Sequence, residues 1–188
     1  MQNSIKIAAF CGSLRKDSYN KKLLHLAQTL LPEEMTMTVV SFEDLPYYSE
    51  DFDTPDTTPQ SVVTFRQTLE KADGILIVSP EYNYAIPGAL KNALDWASRG
   101  NPNPLFGKPV SLMGATIGTI GTARMQISFL SFFRLMNMPL ALQPEILISQ
   151  AHTKFDEAGN FTDEKGKQLI QQNLEHLKQL ILINFSKN

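Results

Sequence analysis

Two stretches of the sequence contain side chains suited to binding a small polar ligand rather than to attacking one. The first follows an apolar strand and precedes a helix, and it holds a cluster of hydrogen-bond donors: Gly12, Ser13, Arg15, Ser18 and Asn20. Free N–H groups and the dipole at a helix N-terminus favour an anion. Such a cluster suits a phosphate monoester, with Gly12 forming a tight turn. The alternative is an ordinary strand–helix turn in which Ser18 is a simple cap.

The same stretch differs from two common nucleotide-binding motifs. It lacks the lysine of the ATPase phosphate loop, and it lacks the three glycines of the dinucleotide fingerprint. The phosphate of a mononucleotide is therefore the better fit.

The second stretch runs from Pro80 to Asn92 and contains little acid–base machinery. Two prolines, Pro80 and Pro87, limit its flexibility, and the segment between them offers backbone N–H groups, the aromatic face of Tyr82 and the amide of Asn83. These groups suit the binding of a planar polar ring. A single carboxylate in a loop, here Glu81, is more often an acceptor for backbone N–H groups than a general acid.

A third stretch, Gly114–Gly121, is rich in glycine and threonine. Glycines such as Gly114 and Gly118 permit close backbone approach to a ligand, and Thr116 with nearby N–H groups could donate to a carbonyl-rich ring edge. Taken alone, the stretch is equally typical of a flexible turn.

The other reactive residue types show no catalytic pattern. The only cysteine, Cys11, excludes an internal disulfide and multi-cysteine zinc motifs, and its place at a strand end favours the core. The three histidines share no spacing with a nucleophile or a metal ligand, so surface or packing roles are expected for His25, His152 and His176. We predict no metal and no catalytic side chain.

The elements that position these stretches alternate along the chain. Apolar runs predict five strands, at Ile5–Cys11, Thr36–Ser41, Asp73–Ser79, Pro109–Met113 and Glu145–Ser149. Helical spacing follows each strand, at residues 23–31, 61–71, 89–98 and 122–136 and after a predicted cap at Thr162. Residues 43–60 and 151–161 are predicted loops. Strands that alternate with helices indicate a doubly wound parallel sheet. In the strand order 2-1-3-4-5 the loops after strands one, three and four meet at the switch point.

Size and charge limit the protein class. A chain of 188 residues is expected to form one domain over residues 1–188, and its net charge of −2 does not favour nucleic acid or an anionic membrane as a partner. No secretory signal and no membrane span are visible in the sequence. We therefore expect a cytoplasmic protein.

The sequence resembles the NADPH-dependent FMN reductase family, which includes bacterial quinone, azo and chromate reductases. The first stretch matches the family's phosphate loop, and the segment from Pro80 through Trp96 matches its flavin-ring motif, which is highly specific. The resemblance covers nearly the whole chain. The third stretch departs from the family, because Thr116-Ile117-Gly118 stands where Ser-Pro-Gly is usual.

The resemblance implies a flavodoxin-like three-layer fold, non-covalent FMN, NADPH or NADH as the donor and a homodimer or homotetramer. It assigns Ser13, Arg15, Ser18 and Asn20 to the FMN phosphate; Pro80, Glu81, Tyr82 and Asn83 to the isoalloxazine; and Thr116 and Gly118 to the pyrimidine end. Hydride would pass to flavin N5, and two electrons would then pass to a quinone, free flavin, azo compound or chromate in a ping-pong sequence. The alternative is a flavodoxin-type electron carrier.

Two further features bear on these expectations. The three candidate stretches, extended to Lys22, Arg99 and Arg124, hold seven basic and three acidic residues, a net charge of +4 that would attract the phosphates of NADPH. The fourth helix is apolar nearly all round, which predicts a partner subunit. Its apolar residues are Ile127, Phe129, Leu130, Phe132, Phe133, Leu135 and Met136.

Overall fold

A computed structural model describes residues 4–186 of the chain. These residues contain a five-stranded parallel sheet with the order β2-β1-β3-β4-β5, as predicted. The strands are β1 (Ile5–Cys11), β2 (Met35–Val39), β3 (Gly74–Val78), β4 (Val110–Ala115) and β5 (Ile146–Ile148). All five residues of β3 and all six of β4 are buried, because helices cover both faces of the sheet.

Five α-helices complete the three layers. They are α1 (Tyr19–Thr29), α2 (Gln60–Glu70), α3 (Gly88–Ala97), α4 (Ala123–Leu135) and α5 (Glu164–Phe185). The apolar faces of α1 and α5 form one core with one face of the sheet, and those of α2, α3 and α4 form a second core on the other face. The carboxyl ends of β1, β3 and β4 therefore open at one edge between these layers.

The predicted loop over residues 43–60 is more ordered than the sequence indicated. It contains a short 3₁₀ turn, Glu50–Phe52, and Gln60 belongs to α2. Several contacts attach the segment to neighbouring helices, and two of them involve buried side chains. The indole Nε1 of Trp96 donates to the carbonyl of Pro46 at 2.8 Å, and Arg66 forms an ion pair with Asp53 at 2.7 Å. Both charged side chains of that pair are largely buried.

The prediction that Thr162 caps the last helix is wrong. Asp163 is the N-cap of α5, because its carboxylate accepts the N–H of Gly166 at 3.0 Å, while the hydroxyl of Thr162 donates to the carbonyl of Lys154. Both residue types cap helices well. The preceding segment decides between them, since it directs the side chain of Thr162 away from the helix.

Residues 151–161, which the sequence predicts to be a loop, are partly buried. They include a 3₁₀ turn, Ala151–Thr153, and Phe155 and Phe161 are buried with ring centroids 5.0 Å apart. The segment therefore packs onto the core formed by α1 and α5. Within residues 4–186, no helix is both long and apolar enough to cross a membrane.

Candidate cofactor site

The phosphate loop, residues 12–18, connects β1 to α1. Its start is held by the Gly12 N–H, which donates to the carbonyl of Val78 at 2.8 Å. Its end is held by Ser18, the N-cap of α1, whose hydroxyl oxygen accepts the N–H of Asn20 at 3.1 Å. Arg15 is exposed between these two points. The loop therefore has an exposed arginine and leads into a helix N-terminus, and each of these features attracts an anion.

The two glycines at the strand ends permit close packing around Ser79. A Cβ on Gly12 would overlap the side chain of Ser79, and a Cβ on Gly114, which lies within β4, would come within 2.5 Å of the Ser79 carbonyl oxygen and would overlap Thr122. Gly12 has no positive φ angle. This packing role comes in addition to the predicted turn at Gly12 and the predicted close approach of a ligand at Gly114.

Asn20 connects the first helix to the fourth strand. Its amide Nδ2 donates to the carbonyl of Ala115, and its Oδ1 accepts the N–H of the same residue, each at 2.9 Å. The side chain is only 3% exposed. One N–H of the amide remains for another acceptor.

The ring loop, residues 80–87, contains a tight hairpin turn. The N–H of Tyr82 donates to the carbonyl of Ala85 at 3.2 Å, and the reverse bond is 3.0 Å. The two central residues, Asn83 and Tyr84, have φ angles of 51° and 64°. Asn adopts this left-handed region readily, but a bulky residue such as Tyr84 does so rarely, and such strain is concentrated at functional sites.

Arg124, in the first turn of α4, stacks on this turn. Its guanidinium carbon lies 4.0 Å from the centroid of the Tyr84 ring, which is a close cation–π contact. The sequence analysis counted Arg124 in the charge of the extended third stretch but predicted no contact for it. Its position directly after the third glycine-rich stretch was the available signal.

Glu81 acts as the backbone acceptor that its sequence context indicated. Its Oε2 accepts the N–H of Met125 at 2.9 Å, and its Oε1 lies 3.8 Å from Nη1 of Arg124. The carboxylate therefore faces the N-terminus of α4, where a negative charge is stabilising. It joins the ring loop to α4.

The β4–α4 loop, residues 116–122, is attached to the segment after β5. The N–H of Thr116 donates to the carbonyl of Ile148 at 2.9 Å, and the carbonyl of Gly118 accepts the N–H of Gln150 at 3.0 Å. The hydroxyl oxygen of Thr116 accepts the N–H of Gly118 at 3.3 Å. Two large side chains, Ile117 and Ile120, remain exposed.

Three of the basic side chains in the sequence count of +4 contact other protein groups. Lys91 pairs with Asp95 at 2.6 Å, Lys22 lies over the ring of Tyr19, and Arg99 donates to the hydroxyl of Tyr48. Those three basic side chains are therefore occupied elsewhere. The basic residues in the phosphate loop itself, Arg15 and Lys16, are both exposed.

A cavity of about 380 Å³ lies on the β2 side of the phosphate loop. Residues of β1, α1 and the segment after β2 line it, including Cys11, Ser13, Lys21, His25 and Glu43. Burial raises the pKa of the Cys11 thiol, and the backbone of Ser13 and the charge of Lys21 only partly oppose this effect. The thiol is therefore protonated at neutral pH, which agrees with the predicted packing role.

The donor set fits an FMN-type ligand in its chemistry. Arg15 and the N-terminus of α1 suit a phosphate monoester. The ring loop and the β4–α4 loop expose apolar side chains at the same edge of the sheet, where Tyr82, Tyr84, Ile117 and Ile120 are each at least half exposed. Apolar and aromatic surface beside polar backbone suits a planar heteroaromatic ring.

Topology and layer arrangement define the protein as a flavodoxin-like α/β protein. The sequence profile described as NADPH-dependent FMN reductase matches residues 5–153, and the chain belongs to this family. The chain is 39% identical over 178 residues to an NAD(P)H-dependent FMN reductase of Pseudomonas aeruginosa, with 95% of this chain and 96% of the relative covered. It is 40% identical over 169 residues to a 2-hydroxy-1,4-benzoquinone reductase of a Burkholderia species, with 89% and 91% covered.

A solved structure gives the same result. The flavoenzyme NAD(P)H:(acceptor) oxidoreductase FerB of Paracoccus denitrificans superimposes with a TM-score of 0.86 at 32% identity, and the match covers 96% of this chain and 98% of that one. The family, the flavodoxin-like fold and the enzyme class expected from the sequence are thereby confirmed, and FMN with NAD(P)H is supported as the cofactor pair.

Proposed function

We propose that this protein is a cytoplasmic FMN-dependent reductase that takes electrons from NAD(P)H and delivers them to a small quinone. The observation that carries the proposal is the convergence of three loops at the carboxyl ends of β1, β3 and β4. One loop is rich in anion-binding groups, and the other two expose aromatic and apolar surface. We further propose that residues 1–188 act as one FMN-binding domain, since all the described strands belong to one sheet.

In this proposal each loop contacts a different part of FMN. Ser13, Arg15, Ser18 and the remaining N–H of Asn20 bind the phosphate. Pro80–Asn83 lie beside the isoalloxazine, and Thr116 and Gly118 lie near its pyrimidine end. The packing of Gly12 and Gly114 against Ser79 supports an indirect role for these two glycines.

The chemistry belongs to the cofactor. Bound FMN would supply the chemistry, which is hydride uptake from NAD(P)H and two-electron transfer to the acceptor. The protein orients the rings and leaves one side of the site open, so that the nicotinamide and the acceptor occupy it in turn, which is a ping-pong sequence. The exposed Arg15 and Lys16 attract the phosphates of both nucleotides.

A quinone is the best-supported acceptor class. Relatives that cover nearly the whole chain are named 2-hydroxy-1,4-benzoquinone reductase in a Burkholderia species and quinone reductase in Escherichia coli. A planar quinone matches the apolar surface of the ring loop and the β4–α4 loop. Free flavin, azo compounds and chromate are the other acceptors to compare.

We also propose that the protein is a homodimer or a homotetramer that forms through α4. The inner face of this helix places Met125, Phe129 and Phe133 in the core. Its outer face leaves Ile127 and Leu135 at least 65% exposed and Leu130 at 45%. Leu142, half exposed, lines a groove with Ile127 and Leu130, so the outer apolar surface is continuous beyond the helix. A second copy covers such a surface in a symmetric dimer.

Two measurements test the function. First, the purified protein is expected to be yellow, and mass analysis of the released cofactor is expected to give FMN; release of FAD, or no flavin after reconstitution, contradicts the assignment. Second, oxidation of NADPH and NADH is followed with benzoquinone, free FMN, an azo dye and chromate in parallel. The proposal predicts turnover that is fastest with the quinone. Absence of turnover with every acceptor favours a flavodoxin-type electron carrier.

A further inference from the structure

We infer that Asn20 sets the spacing between the phosphate loop and the β4–α4 loop, and so positions the whole flavin rather than the phosphate alone. The inference rests on the proposed function, because it concerns the same site. Asn20 is here a positioning residue that acts through the backbone of Ala115.

The contact between Asn20 and Ala115 consists of two hydrogen bonds in opposite directions, as between paired residues of a β-sheet. The Asn20 amide both donates to and accepts from the backbone of Ala115, at 2.9 Å in each direction, although the two residues are 95 positions apart. Both partners are buried. Removing the amide leaves the backbone N–H and C=O of Ala115 without these partners, and buried polar groups are costly to leave unpaired.

The two ends of this contact lie beside the two loops in question. Asn20 is two residues after the Ser18 cap that ends the phosphate loop, and Ala115 directly precedes the β4–α4 loop. Helix α1 and strand β4 are far apart in the sequence, and β3 lies between β4 and β1, the strand that leads into α1. The helix packs across β3 onto β4, where Asn20 meets Ala115. The Asn20 amide therefore sets the separation between two loops that are proposed to hold opposite ends of the flavin.

The strand ends between these loops pack closely around Ser79. A Cβ on Gly12 would overlap the Ser79 side chain, and a Cβ on Gly114 would come within 2.5 Å of the Ser79 carbonyl oxygen. The contact between Asn20 and Ala115 therefore lies beside a closely packed part of the sheet.

The two possible roles of Asn20, positioning the loops and binding only the phosphate, predict different effects on the affinities for FMN and for riboflavin. Riboflavin lacks the phosphate but has the same rings. A residue that binds only the phosphate affects FMN affinity and leaves riboflavin affinity unchanged. A residue that positions both loops also weakens the affinity for riboflavin.

The experiment compares Asn20→Ala with Arg15→Ala by fluorescence titration of the apoprotein with FMN and with riboflavin. Alanine is well tolerated in helices, so the first change does not disfavour α1 itself. Arg15→Ala is expected to weaken FMN binding about 10- to 150-fold, as for a lost bond to a charged group, and to leave riboflavin unchanged. Asn20→Ala is expected to weaken riboflavin binding about tenfold and FMN binding by at least as much, because it also loses the proposed bond to the phosphate, and to shift the absorbance band of the bound flavin. If Asn20→Ala weakens FMN alone, the inference is wrong.

A second measurement does not depend on flavin. Hydrogen exchange at the Ala115 amide of the apoprotein is expected to be faster in Asn20→Ala than in the wild type. If Asn20→Ala fails to fold, Asn20→Asp replaces it in the riboflavin titration only. Aspartate loses the donor to the Ala115 carbonyl but keeps the acceptor for the Ala115 N–H, so exchange at that amide is not its readout. Unchanged exchange together with unchanged riboflavin affinity overturns the inference. If the wild type binds neither flavin, the proposed function fails instead, and the exchange result still tests the contact.

Discussion

Glu81 caps a helix from which it is separated by 44 positions in the sequence. Its carboxylate accepts the N–H of Met125 at 2.9 Å, in the first turn of α4. The residue that occupies the N-cap position, Thr122, makes no side-chain cap bond. The ring loop therefore supplies the acceptor for a free backbone N–H in the first turn of α4, and this bond couples the position of the loop to that of the helix.

We expect Glu81→Ala to lower the free energy of unfolding by about 0.5–2 kcal/mol, the range for loss of a helix cap. Glu81→Gln is the matched control, because its amide oxygen can still accept the Met125 N–H. It should lose only the charge–dipole part, about 0.3–1 kcal/mol. Urea denaturation measures both. Equal losses in the two variants would show that the hydrogen bond contributes little.

Gly114→Ala is expected to destabilise the protein by about 1–3 kcal/mol, as for overpacking of a core. The new Cβ meets the Ser79 carbonyl at 2.5 Å, and a backbone oxygen between strands cannot shift easily. Gly88→Ala is the control at the start of α3, where no atom lies within 4 Å of the added Cβ. It should leave stability unchanged or raise it by up to about 1 kcal/mol. Similar thermal midpoints for both variants would contradict the assigned role of Gly114.

Asp163→Ala should cost about 0.5–2 kcal/mol of stability, and Thr162→Ala clearly less. The reason is that the Asp163 carboxylate accepts the Gly166 N–H, while the Thr162 hydroxyl bonds outside the helix. Urea denaturation at neutral pH compares the pair. A larger loss of stability in Thr162→Ala than in Asp163→Ala would show that Thr162 caps the helix, as the sequence predicted.

The contribution of Asp163 should also depend on pH. The Gly166 N–H, and next the Lys154 ammonium group, lower the pKa of this carboxyl in the folded state. A lowered pKa means that the stabilisation is fully present above the usual aspartate pKa of about 3.9 and is lost as pH falls through the folded-state value. The difference in unfolding free energy between wild type and Asp163→Ala should therefore shrink below about pH 4. A difference that stays constant down to pH 2 would contradict this cause.

Leu130→Asp on α4 is expected to convert the proposed oligomer into smaller species, because it places a charge on the apolar outer face of the helix. Leu182→Asp on α5 is the matched control, since the two leucines are 45% and 48% exposed. Light scattering at micromolar concentration gives the masses. A wild-type monomer would refute the proposed oligomer. Dissociation by Leu182→Asp and not by Leu130→Asp would show that the interface is formed by α5 instead.

Local sequence was sufficient to predict the elements, their order and the three strand-end loops. Buried runs such as Gly74–Val78 have a pattern that only an interior strand satisfies, and alternation with helices leaves few sheet topologies. The roles of individual residues were harder to predict. Thr162 and Asp163 are both good caps, and only the packing of the preceding segment distinguishes them.

The sequence by itself determined the fold, the family and the residue types at the site, because these depend on patterns within about 20 consecutive residues. The tertiary structure alone decided which groups those side chains bind. Asn20 pairs with Ala115, Glu81 caps α4, and Ser79 occupies the space that Gly12 and Gly114 leave free. The reason is that parallel strands are joined by long helical crossovers, so neighbours at the strand ends lie far apart in the chain. Their contacts therefore form only when the sheet is complete.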